Sequence, residues 1–177
     1  MHLDLIRDKA KAFPLLEHPL EVRTLRIWHC KYKSLAALET LENLEELVIA
    51  GFPDSSLDML KSLSRLRYLS ISDLPKISNL QALAGLSKLE SLSLSTSPAW
   101  DAARKVTVME SLDPLACLIS LTHVELFGVC PPNKSLADLE KCVSLETGRF
   151  SQYPQAEIDR FYAVTQVVNQ YNPPPSF

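Results

Sequence analysis

A chain of 177 residues has the length of one domain and can bury a sizeable core. Its 46% hydrophobic and 22% charged residues and its formal net charge of −3 are those of an ordinary globular protein. No cluster of Lys and Arg exceeds two or three residues, which argues against nucleic acid or an anionic membrane as partner, since both need a concentrated positive field.

The chain begins Met1-His2-Leu3-Asp4-Leu5-Ile6-Arg7-Asp8, with acids where a secretory signal has a basic region and then a long apolar run. No stretch approaches the roughly 18 continuous apolar residues of a membrane span. These features predict an intracellular, cytoplasmic protein. Leu3, Ile6, Ala10 and Phe13 recur at helical spacing and Pro14 would stop the helix, so residues 1–20 are predicted to form a helical N-terminal cap.

From residue 21 onward the pattern changes to a repeat. Val22, Leu25, Ile27 and Cys30 supply a first strand. Apolar residues then fall at Leu35, Leu38, Leu41, Leu44, Leu47, Ile49 and Phe52, and again from Leu57 to Leu74 and from Leu80 to Leu94. The pattern resumes from Leu112 to Val129 and, more weakly, from Leu136 to Phe150. Corresponding positions Leu25, Leu47, Leu69, Leu92, Val124 and Gly148 are separated by 22, 22, 23, 32 and 24 residues. Each Leu-x-Ile places two apolar side chains on one face of a short strand. The preceding Leu-x-x-Leu-x-x-Leu has period three, which suits a 3₁₀ turn better than an α-helix. One such unit cannot bury its leucines alone, so neighbours must stack, with strands in a parallel sheet on one side and tight turns on the other. The prediction is an α/β solenoid of about six parallel strands, with repeats over 21–153.

These residues resemble the leucine-rich-repeat superfamily, and the run from Ile77 to Ser95 resembles the 22-residue class of bacterial internalins. The resemblance covers about residues 20–153 and implies a right-handed solenoid that serves as a recognition scaffold. The chain departs from that pattern after each strand, where the superfamily usually has Asn or Cys. Here stand Cys30, Phe52, Leu74, Ser97, Val129 and Tyr153, so an internal asparagine ladder is missing and the turns require another hydrogen-bonding solution.

The spacing of 32 between Leu92 and Val124 holds an insertion near 97–108, with one helical turn expected around Ala99-Trp100-Asp101. Such insertions map to loops beside the binding face, but long loops are also cheap in entropy. Exposure of Trp100 distinguishes a functional loop from a tolerated one. After Pro154, residues Ile158, Phe161, Tyr162, Thr165 and Val168 share one helical face, which predicts a C-terminal helical cap within 154–177. An aromatic of that helix is expected to fill the hollow left by Gly148. The ending Asn172-Pro-Pro-Pro-Ser-Phe177 cannot continue the helix and is expected to be extended or disordered.

Catalytic and metal signatures are sparse. Cys30, Cys117, Cys130 and Cys142 show no CxxC spacing and are predicted to be free, mostly buried thiols rather than zinc ligands. No Gly-rich phosphate loop exists among four glycines. His123 and Glu125 share one strand face, but no nucleophile or oxyanion site accompanies them. With Leu25, Ile27 and their equivalents inward, the outward rows are Thr24, Glu46, Tyr68, Ser91, His123, Thr147, then Arg26, Val48, Ser70, Ser93, Glu125, Arg149, then Trp28, Ala50, Ser72, Ser95, Phe127, Ser151. Trp28 and Phe127 stand as aromatic posts four strands apart, about 19 Å at the usual spacing. They either face a partner or pack on the N-terminal cap and the inserted loop.

The resulting expectation is a protein-interaction module of bacterial type that binds a partner protein on its concave face without a cofactor; a narrower version is an inhibitor or immunity-like protein. Its candidate partner-binding residues are Arg26, Trp28, Tyr68, His123, Glu125, Phe127 and Arg149, with Trp100 beside them. The competing reading is an enzyme or enzyme regulatory subunit using His123 and Glu125.

Overall fold

The computed structural model describes residues 1–177. Seven parallel strands form the main sheet: β1 (His2–Ile6), β2 (Thr24–Trp28), β3 (Glu46–Ala50), β4 (Tyr68–Ser72), β5 (Ser91–Ser95), β7 (His123–Phe127) and β9 (Thr147–Ser151), in that spatial order. The short strands β6 (Thr107–Val108) and β8 (Val129–Cys130) pair separately. The helices are α1 (Pro98–Ala102) and α2 (Gln155–Val164).

The register is that of the repeat: Leu25 pairs with Leu47, Leu47 with Leu69, Leu69 with Leu92, Leu92 with Val124 and Val124 with Gly148. Behind each strand the period-three leucines close 3₁₀ turns. Leu38, Leu41 and Leu44 each donate to the carbonyl three residues earlier, as do Leu60, Leu63 and Leu66. The same side chains are fully buried in one continuous core.

The N-terminal expectation fails in an informative way. Residues 2–6 form a strand, not a helix, and the sheet has seven strands rather than six. Leu3 and Leu5 pair in register with Leu25 and Ile27, twenty-two residues on. The exposed edge of β2 offers unpaired backbone donors and acceptors, which a further strand satisfies and a short helix cannot. The helical spacing of Leu3 and Ile6 is coincidental, and Ile6 is exposed.

The missing asparagine ladder is replaced by the backbone itself. The residue after each strand continues the inter-strand ladder: Arg7 donates to Trp28 O, His29 to Ala50 O, Gly51 to Ser72 O and Asp73 to Ser95 O. Arg7, His29, Gly51, Asp73, Gly128 and Gln152 all turn this corner with φ between 52° and 87°. The next position is apolar and buried at Phe52, Leu74, Val129 and Tyr153, and the Tyr153 hydroxyl donates to Val129 O at 2.7 Å. Thr96, after β5, is the one equivalent without a left-handed backbone, and there the insertion departs. Gly128 packs against that exit: a Cβ would lie 2.5 Å from Thr96 Cγ2.

At the other end α2 covers the last repeat. Phe161 is fully buried, while Ile158, Tyr162 and Thr165 are half-buried. The hollow beside Gly148 is filled by Phe150 and Val167 instead of a helix aromatic; a Cβ there would meet Phe150 at 2.9 Å and Val167 at 3.2 Å. Phe161 holds Phe150 from behind, edge-on, with ring centres 5.4 Å apart. Of the cysteines, Cys130 and Cys142 are buried and Cys30 is half-buried, but Cys117 is exposed on its 3₁₀ turn. No helix is long and apolar enough to cross a membrane.

Candidate functional site

Because side chains alternate along a strand, the parallel sheet presents three rows outward on its concave face. β1 extends each row by one: His2, Asp4 and Ile6 join the rows of Thr24, Arg26 and Trp28. Arg26 is clamped by Asp4 in a two-pronged pair at 2.7 and 2.8 Å, and this pair holds the carboxyl of Asp4 below its usual range. Trp28 is 40% exposed, its ring edge-on to His29, beside Ile6, Arg7 and Arg26. It does not pack beneath a cap.

Across the middle of the face, Tyr68 is half-buried, and burial, with the carboxylates Glu125 and Glu46 nearby, pushes its hydroxyl pKa up. Glu46 and Glu125 are each only 8% exposed although both sit on outward rows. Glu125 accepts from the Ser93 hydroxyl at 3.0 Å. His123 is hydrogen-bonded through Nδ1 to Thr147 Oγ1 at 2.8 Å. The His123–Glu125 pairing that a catalytic reading requires is therefore replaced by two cross-strand bonds, and the two side chains are engaged separately. No group of three or more His, Cys, Asp or Glu side chains converges as a metal site.

At the C-terminal side, the guanidinium of Arg149 lies 5.6 Å from the Phe127 ring centre and 3.5 Å from that of Tyr171. Phe127 is half-buried. The insertion is pinned to this rim, since Ser151 Oγ and Gln152 Nε2 both donate to Asp101 Oδ1, at 3.1 and 2.9 Å. Trp100, one residue away on α1, is 37% exposed. The structure thus gathers His123, Glu125, Phe127 and Arg149 on the adjoining strands β7 and β9, with Tyr68 two strands away on β4; it leaves Arg26 and Trp28 at the N-terminal side and sets Trp100 on the rim.

Sequence reasoning missed what lies over these rows. After α2 the chain bonds to the edge of β9, where Val168 N donates to Glu146 O at 2.9 Å and Gly148 N to Val168 O at 3.0 Å. It then crosses the concave face. Asn172 N donates to Glu125 Oε1 at 3.1 Å, and Asn172 Nδ2 to Ser91 Oγ and Leu92 O at 3.1 and 3.0 Å. Pro173 and Pro174 adjoin Tyr68, Ser91 and His123. Ser176 N donates to Glu46 Oε2 at 2.8 Å, and the Phe177 ring lies against His2, tilted by 38°, with centroids 4.4 Å apart. The run of three prolines was the one available signal, since it dictates an extended segment; its seat leaves no trace in periodicity.

No protein-family model matches the sequence, and no curated protein matches it. Solved structures do. Internalin C2 of Listeria monocytogenes aligns at TM-score 0.53 and 20% identity, over 85% of this chain and 71% of that one. An internalin, InlF, of the same organism aligns at 0.57 and 18%, over 90% of this chain and 52% of its own. A leucine-rich-repeat protein of Leptospira interrogans aligns at 0.50 and 18%, over 96% and 54%. The chain spans about half the length of the latter two. Its fold is the internalin-like leucine-rich-repeat solenoid.

Proposed function

We propose that this protein is a binding module that holds a segment of a partner protein on the concave face of its sheet, without a cofactor. The observation that carries the reading is the face itself. Seven strands in one register present Arg26, Trp28, Tyr68, Phe127 and Arg149 outward from a core that none of them fills. Trp, Tyr and Arg are the side chains that most often dominate interface energies, and here rigid neighbours on a sheet hold them in place.

The test is capture of a partner from extract of the source cells by wild type, Trp28→Ala, Tyr68→Ala and Glu42→Ala forms. Retention should fall at least tenfold for the two concave variants and hold for Glu42→Ala on the convex side, with melting temperatures within a few degrees of each other. Equal retention by all four would move the site off this face.

A further inference from the structure

The segment 171–177 behaves as a ligand of the face it crosses. It runs from β9 to β1, making contact in order with Arg149, Glu125, Ser91, Glu46 and His2. Because it crosses the strands, it cannot add to the sheet by backbone pairing, so side chains must hold it. Six strand intervals from β9 to β1 span about 29 Å on a flat sheet. Six extended proline-type residues span about 19 Å, which suits the shorter, concave path once long side chains reach out.

The chemistry of the seat matches this sequence at both levels. Pro173, Pro174 and Pro175 lack N–H groups, so they cross the middle of the face with no donor to satisfy. The backbone N–H groups that bracket them, of Asn172 and Ser176, are met by the two buried carboxylates of the outward rows, Glu125 and Glu46. At either end an aromatic ring meets a cation: Tyr171 lies against Arg149, and Phe177 lies 6.0 Å from Arg26. A proline core is stiff beforehand and loses little entropy on docking, which is why such segments recur as peptide ligands.

The seat is also releasable. Tyr171 is 73% exposed, Pro173, Pro174 and Ser176 are exposed, and no residue of the core belongs to this segment. Asn172 Oδ1 is buried without a hydrogen-bond partner, a defect that weakens the hold.

We propose that residues 171–177 are an internal occupant of the binding face, and that the external ligand is an extended, proline-centred protein segment flanked by aromatic residues, which takes their place. The proposal rests on the concave-face reading above and specifies its partner class.

The probe is a fluorescein-labelled synthetic peptide of residues 170–177, titrated by anisotropy against the full chain. A tethered segment acts at an effective concentration of order millimolar, so the wild type should bind the peptide weakly. The full chain carrying Tyr171→Ala, Asn172→Ala and Phe177→Ala should bind it at least tenfold more tightly. Adding Glu46→Gln and Glu125→Gln should remove that gain, and a peptide with its three prolines replaced by serine should bind at least tenfold more weakly. Equal affinity of wild type and triple variant, weak or tight, would overturn the proposal. So would indifference to the two glutamates. In either case partner capture that still depends on Trp28 and Tyr68 would leave the concave-face reading standing, whereas capture that ignores them would remove that reading itself.

Discussion

At the C-terminal end of the solenoid Phe161 is fully buried, and the loop behind it is tied down by Glu157, which accepts from Leu136 N at 2.6 Å, Ser135 Oγ at 3.2 Å and both arms of Arg160. At the N-terminal end Leu3 and Leu5 stay half-exposed, and the outward side of β1 is held by an exposed pair, Asp4 with Arg26. The two ends expose different things to be covered. β2 offers a regular edge with leucines in register, and one more strand matches it. β9 carries Gly148 where other strands carry a branched side chain, and a hollow needs bulk, supplied by Phe150 with Phe161 behind it. The form of a cap thus follows from the defect that the last repeat leaves.

The largest effect should come from emptying the C-terminal end. Phe161→Ala should cost about 3–5 kcal/mol, because a fully buried ring leaves a cavity that Phe150 cannot close alone. Urea unfolding measures it, and a loss under about 1 kcal/mol would mean that α2 is an ornament rather than a cap.

Glu157→Gln should cost about 1–2 kcal/mol after allowing for solvent screening. The hydrogen bonds from Arg160, above all, hold the Glu157 carboxyl down to about 2 against an ordinary 4.5. A depressed pKa means stability present in full above about pH 4.5 and lost as pH falls toward 2. The wild type should therefore lose stability across that acid window more steeply than Glu157→Gln. Parallel curves from pH 5 to pH 2.5 would show that the carboxylate is not what ties the loop.

The smallest effect belongs to the N-terminal end. Leu5→Ala should cost about 1 kcal/mol, since a half-exposed side chain has less burial to lose. Hydrogen exchange should show the amides of β1 opening well before those of β3. If Leu5→Ala instead matched Phe161→Ala, the two ends would be equally built and the contrast between them would fall.

Much of this was legible because it is periodic. Leu47 and Ile49, and their counterparts every 22 or 23 residues, specify the strands, and the leucines three apart specify the 3₁₀ turns, since both follow from local sterics and from the need to bury one face. The outward rows followed from the same alternation, so Tyr68, His123, Glu125, Phe127 and Arg149 all stand on outward rows of one sheet as expected. Only the tertiary structure decided what those residues touch. His123 bonds Thr147 and Glu125 bonds Ser93 because the neighbouring strands, 24 residues ahead and 32 behind, set their partners. β1 was hidden because a five-residue segment carries too few positions to tell a helix from a strand, and the free edge of β2 made the choice. The burial of Glu46 and Glu125 was hidden for a different reason. A proline segment 130 residues from Glu46 crosses both side chains, joined to the sheet by a few hydrogen bonds and ring contacts that no periodicity records.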